Sequence, residues 1–490
     1  MQTSRLAALV AIVLLVGAVG AYTYFYYGGS APTTATTGCP SNYVAGGPIR
    51  TQLSNVTLGH LTEFILPGKD QAPNGITVAP DGSVWFGEES LPALAHLFPN
   101  GTLLEYVWPG TYPPPGSADY SCGHRTQTWG VALWNGTVWA SDTSGNQLVN
   151  LDPATGEFHF YTLSANAFPY YLVAGLDGRL WFTELFVPDI VSLDENGTAH
   201  TYALPTGIQG TPTQIYFVNS SYALYDDAGQ AGANDGGVYA FNPSHPVFTR
   251  VGGARMLTGL TGLATASGGI WVSEHGPPFI NFYNYSASAW TDYPTSTVPY
   301  ASTTLPYFVQ SDGTHVWFNE HYGDKIGEID PATDSMVEYA ISNPPVGNLS
   351  SITGTQTIAR AGDRIWFAEF GANRVGFANF SYPPPFSLLP LSSLAVSIKP
   401  GNSTQLSFEL QGSSNSPVQL KFSDSETVSA IPTDLNATSS GYQFVGSLTG
   451  TRFTLDFSAK TALAPGTYIF DVTATDGPVA YTLFIHVDVP

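Results

Sequence analysis

Apolar and polar residues alternate in short runs over most of this chain, as in "GITVA" (75–79), "DKIGEID" (324–330) and "MVEYAI" (336–341). A period of two puts successive side chains on opposite faces, the pattern of a half-buried strand. Turn formers end the runs: "PDG" (80–82), "LDG" (176–178), "SDG" (311–313), "DPATG" (152–156) and "DPATD" (330–334). Clusters of Gly, Asp and Pro mark tight connections. No 3.6-residue period accompanies the strands, so the expected fold class is all-β.

The strands recur in groups. A tetrad Trp-x-x-Glu/Asp appears as "WFGE" (85–88), "WASD" (139–142), "WFTE" (181–184), "WVSE" (271–274), "WFNE" (317–320) and "WFAE" (366–369). The wide gap before residue 271 holds a degenerate copy, "NSSYALYD", ending at Asp226. That makes seven units of about 42–54 residues, each with four short strands, and predicts a seven-bladed β-propeller over residues 56–381. The Trp ring is expected to fill the wedge between blades. An outer-strand sequence, "TEFILP" (62–67), precedes the first tetrad, while the seventh unit, "NRVGFANFS", has none of its own. The first outer strand should therefore complete the last blade and remove the free edges of the seam. "YPPPFSLLP" (382–390) interrupts the pattern. Alternation resumes over 391–490, about 100 residues with seven or so strands, which predicts an immunoglobulin-like β-sandwich.

The N-terminus differs. Arg5 precedes "LAALVAIVLLVGAVGAYTYFYYGG", about 22 uncharged residues, long enough to cross a bilayer. Residues 1–27 are expected to form a signal anchor with a cytoplasmic start, or else a cleaved signal peptide; either way the rest lies outside the cytoplasm. Residues 28–55 read as a flexible stalk, including "GGSAPTTATTGCP" (28–40). Membrane contact through this helix, with cell-surface proteins or glycans beyond it, is the expected partner set. Ten Asn-x-Ser/Thr sequons fit an exported, glycosylated chain: Asn55, Asn100, Asn135, Asn196, Asn219, Asn284, Asn348, Asn379, Asn402 and Asn436. The two cysteines, Cys39 and Cys122, can pair in an oxidising compartment. Net charge is −22, with 15 Lys plus Arg against 37 Asp plus Glu, so no basic stripe exists to bind nucleic acid.

"GITVAPDGSVWFGEE" (75–89) and "WFNEHYGDKIGEID" (317–330) resemble the virginiamycin B lyase, or streptogramin lyase, family over roughly residues 58–380. The resemblance implies a propeller and, in members of the family, opening of a macrocyclic ester by elimination, aided by a divalent metal such as magnesium. It also implies a catalytic histidine after the Pro of a "P-H-[AG]-I" head. Blade by blade that slot here holds Asn74, Trp129, Tyr170, Thr213, Thr261, Tyr307 and Gln356. No catalytic residue of the family carries over.

Three residue sets are candidates for chemistry. Asn74, Trp129, Tyr170 and Tyr307 in the head slot suit stacking and ligand binding at the channel mouth. The tetrad acids, among them Glu88, Asp142, Glu184 and Glu369, form a ring that could share magnesium or calcium, or could simply accept loop hydrogen bonds. Glu274-His275 and Glu320-His321 occupy equivalent points of neighbouring blades; they are candidate acid–base groups, and with His124 the imidazoles are candidate zinc or copper ligands. Adjacent residues on a strand face opposite sides, so Glu and His need not meet. The sequence thus reads as a membrane-tethered surface propeller that binds a ligand or protein at its channel mouth, without the family's lyase activity. The alternative is a metal-assisted lyase or hydrolase acting on a cyclic ester or polysaccharide.

Overall fold

The structure, a computed structural model, describes residues 48–490 except 69–70, 90–91, 109–125, 186, 188, 205–209, 230–234, 299–302, 342–353, 425–434, 439–442, 448–449 and 460–463. Every helix or strand among the described residues is a β-strand. The N-terminal apolar segment, most of the expected stalk, Cys39, Cys122, His124 and Asn348 lie outside them.

Seven blades surround an axis. Their innermost strands are Pro73–Val78, Val131–Trp134, Pro169–Ala174, Pro212–Asn219, Leu260–Ala266, Pro306–Ser311 and Thr355–Ala361. Each contacts the next around the ring, and the last contacts the first. The tetrads form the second strands, such as Val84–Glu88 and Val316–Glu320, buried at every position because both blade faces are covered. Trp181 packs against Ile215 and Tyr225 of the following blade. Trp317 does the same with Ile358 and Phe367, and Trp366 with Ile76 and Phe86 across the seam. The Trp is thus the wedge filler that the repeat predicts.

The fourth blade corrects the sequence reading by one residue. Leu224, not a Trp, meets Leu263 and Val272 of the fifth blade. Asp227 pairs in register with Pro212, as Glu184 does with Pro169 and Glu320 with Pro306. The tetrad is therefore "LYDD" (224–227), and its acid is Asp227 rather than Asp226. Asp226 sits one place earlier, where other blades have Ser141, Thr183, Ser273 and Asn319. Those side chains tie neighbouring inner strands together. Ser141 Oγ accepts from Trp129 N and donates to Tyr170 O, and Asn319 accepts from Phe308 N and donates to Thr355 O.

The seam closes as the repeat predicts. Leu61–Ile65 pairs with Arg374–Asn379, from Leu61 opposite Ala378 to Ile65 opposite Arg374. Asn55–Leu58 folds back on it as a fifth strand. Residues 49–52, expected within a flexible stalk, instead form the strand Ile49–Gln52 on the outer edge of the first blade. Side-chain bonds and burial fix it there: Gln52 bonds Asn100 O and Thr102, and Leu53 enters the core beside Phe64. The start of the propeller therefore grips both blades at the seam, and the domain begins before residue 56.

The C-terminal strands run from Phe386–Pro390 to Val479–Val489. This unit starts a few residues before the expected 391, because Phe386 and Leu388 already point into its core with Phe408, Phe457 and Ile485. The long strand Ser403–Asp424 belongs to two sheets: its first half pairs with Thr451–Ala459, its end with Gly466–Asp476. One sheet continues into the propeller, since Val479–Val489 pairs with Ser335–Ala340, the outer strand of the sixth blade. Phe484 is buried there, edge-on to Tyr293 at 4.8 Å. The outer edge of that blade is thereby covered too.

Candidate functional site at the propeller axis

The head slot opens each innermost strand, and on three blades it carries a large ring. Trp129, Tyr170 and Tyr307 converge: the Trp129 and Tyr170 rings lie 5.3 Å apart, and Trp129 and Tyr307 lie 6.2 Å apart. The Tyr170 and Tyr307 hydroxyls meet at 2.6 Å across the axis. Asn74, the fourth residue of that set, is engaged elsewhere: its Nδ2 donates to Glu89 and its Oδ1 accepts from Gly75 N.

Strand alternation separates each Glu–His pair. The backbone N–H of His275 donates to Gly259 O and that of His321 to Leu305 O, so both imidazoles take the same position on adjacent blades. They lie 5.5 Å apart, and the Tyr307 ring stands 5.0 Å from one and 5.3 Å from the other. Gln356 reaches His321 Nε2 at 3.3 Å. Both ring nitrogens of His275, Nδ1 of His321 and Oε1 of Gln356 are buried without a protein partner. Burial keeps these imidazoles neutral: His321 is pushed down to about 4, and His275 well below its usual value, with His321 adding to the effect. Gln356 is a site residue that its place in the head slot signalled but its chemistry did not.

Glu274 and Glu320 face the other way, into their own blades. Glu320 stands 3.3 Å from Lys325 Nζ, which also lies 3.3 Å from Glu338 of the outer strand. Arg255 bonds Asp292 and lies 4.0 Å from Glu274. The same bracket recurs on other blades. Gln71 links Glu88 to Glu105, and Arg374 bonds Glu63 while its charge acts on Glu369. Asp142 accepts from Gly145 N and from Gln147. Glu184 lies near Asp189. Glu88 and Asp142 thus accept side-chain hydrogen bonds within their own blades and Glu320 has the Lys325 ammonium beside it, while both carboxylate oxygens of Glu369 are buried without a hydrogen-bond partner. Among the described residues no three His, Cys, Asp or Glu side chains stand together as a metal site.

The sequons have a local role as well. Asn100, Asn196, Asn219, Asn284 and Asn379 each accept, through Oδ1, the N–H of the residue two places on. This Asx turn suits hairpins, with Ser or Thr as its third residue. Asn55, Asn100, Asn135, Asn196, Asn219 and Asn402 are exposed, Asn284 and Asn379 half-buried, and the side chain of Asn436 lies outside the described residues.

Burial sets the pH response. It lifts Glu88, Glu320 and Glu369 well above the carboxylate range, Glu184, Asp226 and Glu274 to about 7, and Asp227 to about 6. Raised carboxyls bind protons better folded than unfolded, so their stabilisation is full at acid pH below the unfolded values and, for Glu184, Asp226, Glu274 and Asp227, is lost as pH rises through about 6 to 7. His96, pushed to about 4 by burial, joins His275 and His321 in the opposite sense: they withdraw stability as pH falls below about 6.5. The carboxyls outnumber the imidazoles. The melting temperature by circular dichroism should be higher near about pH 5 than near about pH 8, and the reverse order would contradict the burial of these acids.

No protein-family profile matches the chain. Over 136 residues it is 28% identical to the virginiamycin B lyase of Nocardia farcinica, a stretch covering 28% of this chain and 43% of that protein. The chain thus spans less than half of that relative's length. Its structure superimposes on virginiamycin B lyase from Staphylococcus aureus with a TM-score of 0.53 at 22% identity, covering 65% of this chain and 99% of that one. A catalytically inactive form of the Staphylococcus enzyme with Quinupristin superimposes equally, at 0.53 and 21% identity. The chain carries a virginiamycin B lyase-like β-propeller. Within that lyase-like fold, Trp129, Tyr170, Tyr307 and Gln356 stand where the sequence resemblance places histidine.

Proposed function

We propose that this lyase-like propeller is a binding protein, held outside the cytoplasm by its N-terminal segment, that takes a ligand at the axial cluster of Trp129, Tyr170, Tyr307, His275, His321 and Gln356. One observation carries the reading. Buried polar atoms cost about 1–3 kcal/mol each when unpaired, and here several, on His275, His321 and Gln356, gather beside three aromatic rings. Such a site favours a partner with an apolar body and uncharged donors and acceptors, such as a cyclic peptide ester or a glycan end. The imidazoles have no carboxylate beside them in the Glu–His pairs, which supports binding without turnover.

Quinupristin, the ligand in the neighbour's structure, is the first probe. Binding is expected to quench Trp129 fluorescence and to leave the macrocycle intact by mass spectrometry. Tyr307→Ala is expected to weaken it at least about tenfold, as loss of a buried aromatic contact does. Ring opening that is lost in Glu320→Gln and His321→Ala would favour the lyase alternative. Equal quenching by the wild type and Tyr307→Ala would remove the axial site from the proposal.

A further inference from the structure

We infer that His275 and His321 together form a binding site for a late first-row divalent transition ion of the copper or zinc class. This goes beyond the organic-ligand reading and does not rest on it.

The geometry is specific. An imidazole nitrogen binds such an ion at about 2.0–2.1 Å, so two rings sharing one ion at a tetrahedral to trigonal angle have centroids about 5–5.5 Å apart. The His275 and His321 rings are 5.5 Å apart, inclined at 50°. Three of their four nitrogens have no protein partner although both residues are only 6% exposed. Each is the first residue past the end of a second strand, and equivalent backbone hydrogen bonds fix both residues. Gly354 presses on His321, since a Cβ there would come within 2.6 Å of the ring.

Gln356 supplies the outer support that a metal-bound histidine needs. With its amide turned so that Oε1 faces His321 Nε2, the Nε2–H donates to that oxygen and the lone pair is left on Nδ1. That arrangement fixes the tautomer and raises ligand basicity. Tyr307 flanks both rings, and its hydroxyl is already engaged by Tyr170. The two imidazoles are the protein ligands, and water or an exogenous group fills the remaining positions. Imidazole suits copper and zinc better than it suits magnesium, which prefers oxygen. The site is thus chemically distinct from a carboxylate-held magnesium centre.

The test uses the full chain, stripped with chelator and titrated with copper(II) alone. One equivalent should bind, and its electron paramagnetic resonance spectrum should show coupling to two imidazole nitrogens. Zinc(II) should displace the signal only in large excess, because copper(II) binds nitrogen ligands more tightly. Gln356→Leu should weaken binding about tenfold, the usual effect of removing an outer partner. His275→Ala and His321→Ala should each abolish the two-nitrogen spectrum while preserving the strand circular dichroism. If an alanine variant does not fold, the glutamine variant at the same position replaces it. A copper signal unchanged in the double variant, or the absence of any stoichiometric nitrogen-coordinated copper, overturns the inference. Loss of quinupristin binding with copper binding intact would count against the proposed ligand instead.

Discussion

Removing residues 48–68 is expected to lower the melting temperature by about 10 °C or more and to promote aggregation. The segment supplies the outer strand of the seventh blade and an added strand on the first. Leu61, Phe64 and Leu66 are lost from the buried core with it, each worth about 1.5–3 kcal/mol. At about 2–4 °C per kcal/mol for a domain of this size, the core loss alone gives that drop. The deletion also bares the edge of Arg374–Asn379 and removes Gly68, whose carbonyl accepts from the Asn373 side chain. Differential scanning calorimetry reads the effect. A melt within about 2 °C of the wild type would mean that the ring stays shut without its first strand.

Replacing Lys325 by Met should be the most damaging single substitution in the propeller. The ammonium lies between Glu320 and Glu338, both fully buried, and donates to Ser296 O and Oγ. Against the cost of burial, Lys325 and Ser296 hold Glu338 below its usual range, while burial drives Glu320 up. Without the ammonium the two carboxyls face each other in a dry interior. Breaking a buried pair in this way costs about 3–5 kcal/mol. The paired carboxyls can relieve the repulsion by taking up a proton, so the penalty should shrink at acid pH. Urea melts of Lys325→Met and wild type at pH 8 and pH 5 test this. A loss equal at both pH values would show that lost packing, not charge, carries the effect.

The repeat made the ring legible because its signal is covalent order: a Trp, a burying strand and an acid at fixed spacing. The seam was legible for the same reason, since "TEFILP" has the outer-strand form but stands before the first tetrad. The fourth blade was misread by one position. It lacks the Trp that sets the frame, and Asp226-Asp227 offers two acids where one is expected. Alternation correctly warned that Glu320 and His321 part company. It could not show what each would meet, because Lys325, Glu338 and Gln356 come from other strands and the next blade. The role of the outer-strand acids Glu105, Glu338 and Glu63 was hidden for that reason. So was the pairing of Val479–Val489 with the sixth blade, since a strand's sequence does not name its neighbour. The sequons, which in the sequence suggest export, in five cases also make the Asx turns of hairpins.

Closure of the ring by its own beginning places every residue of the axial site, so crosslinking across the seam is the most direct test. Thr62 and Phe377 lie opposite each other in register. With Cys39 and Cys122 replaced by Ser, Thr62→Cys and Phe377→Cys should form an intrachain disulfide under mild oxidation, seen as a faster-migrating monomer that returns on reduction. Interchain dimers, or two thiols that stay free in folded protein, would contradict the latch and the axial site built upon it.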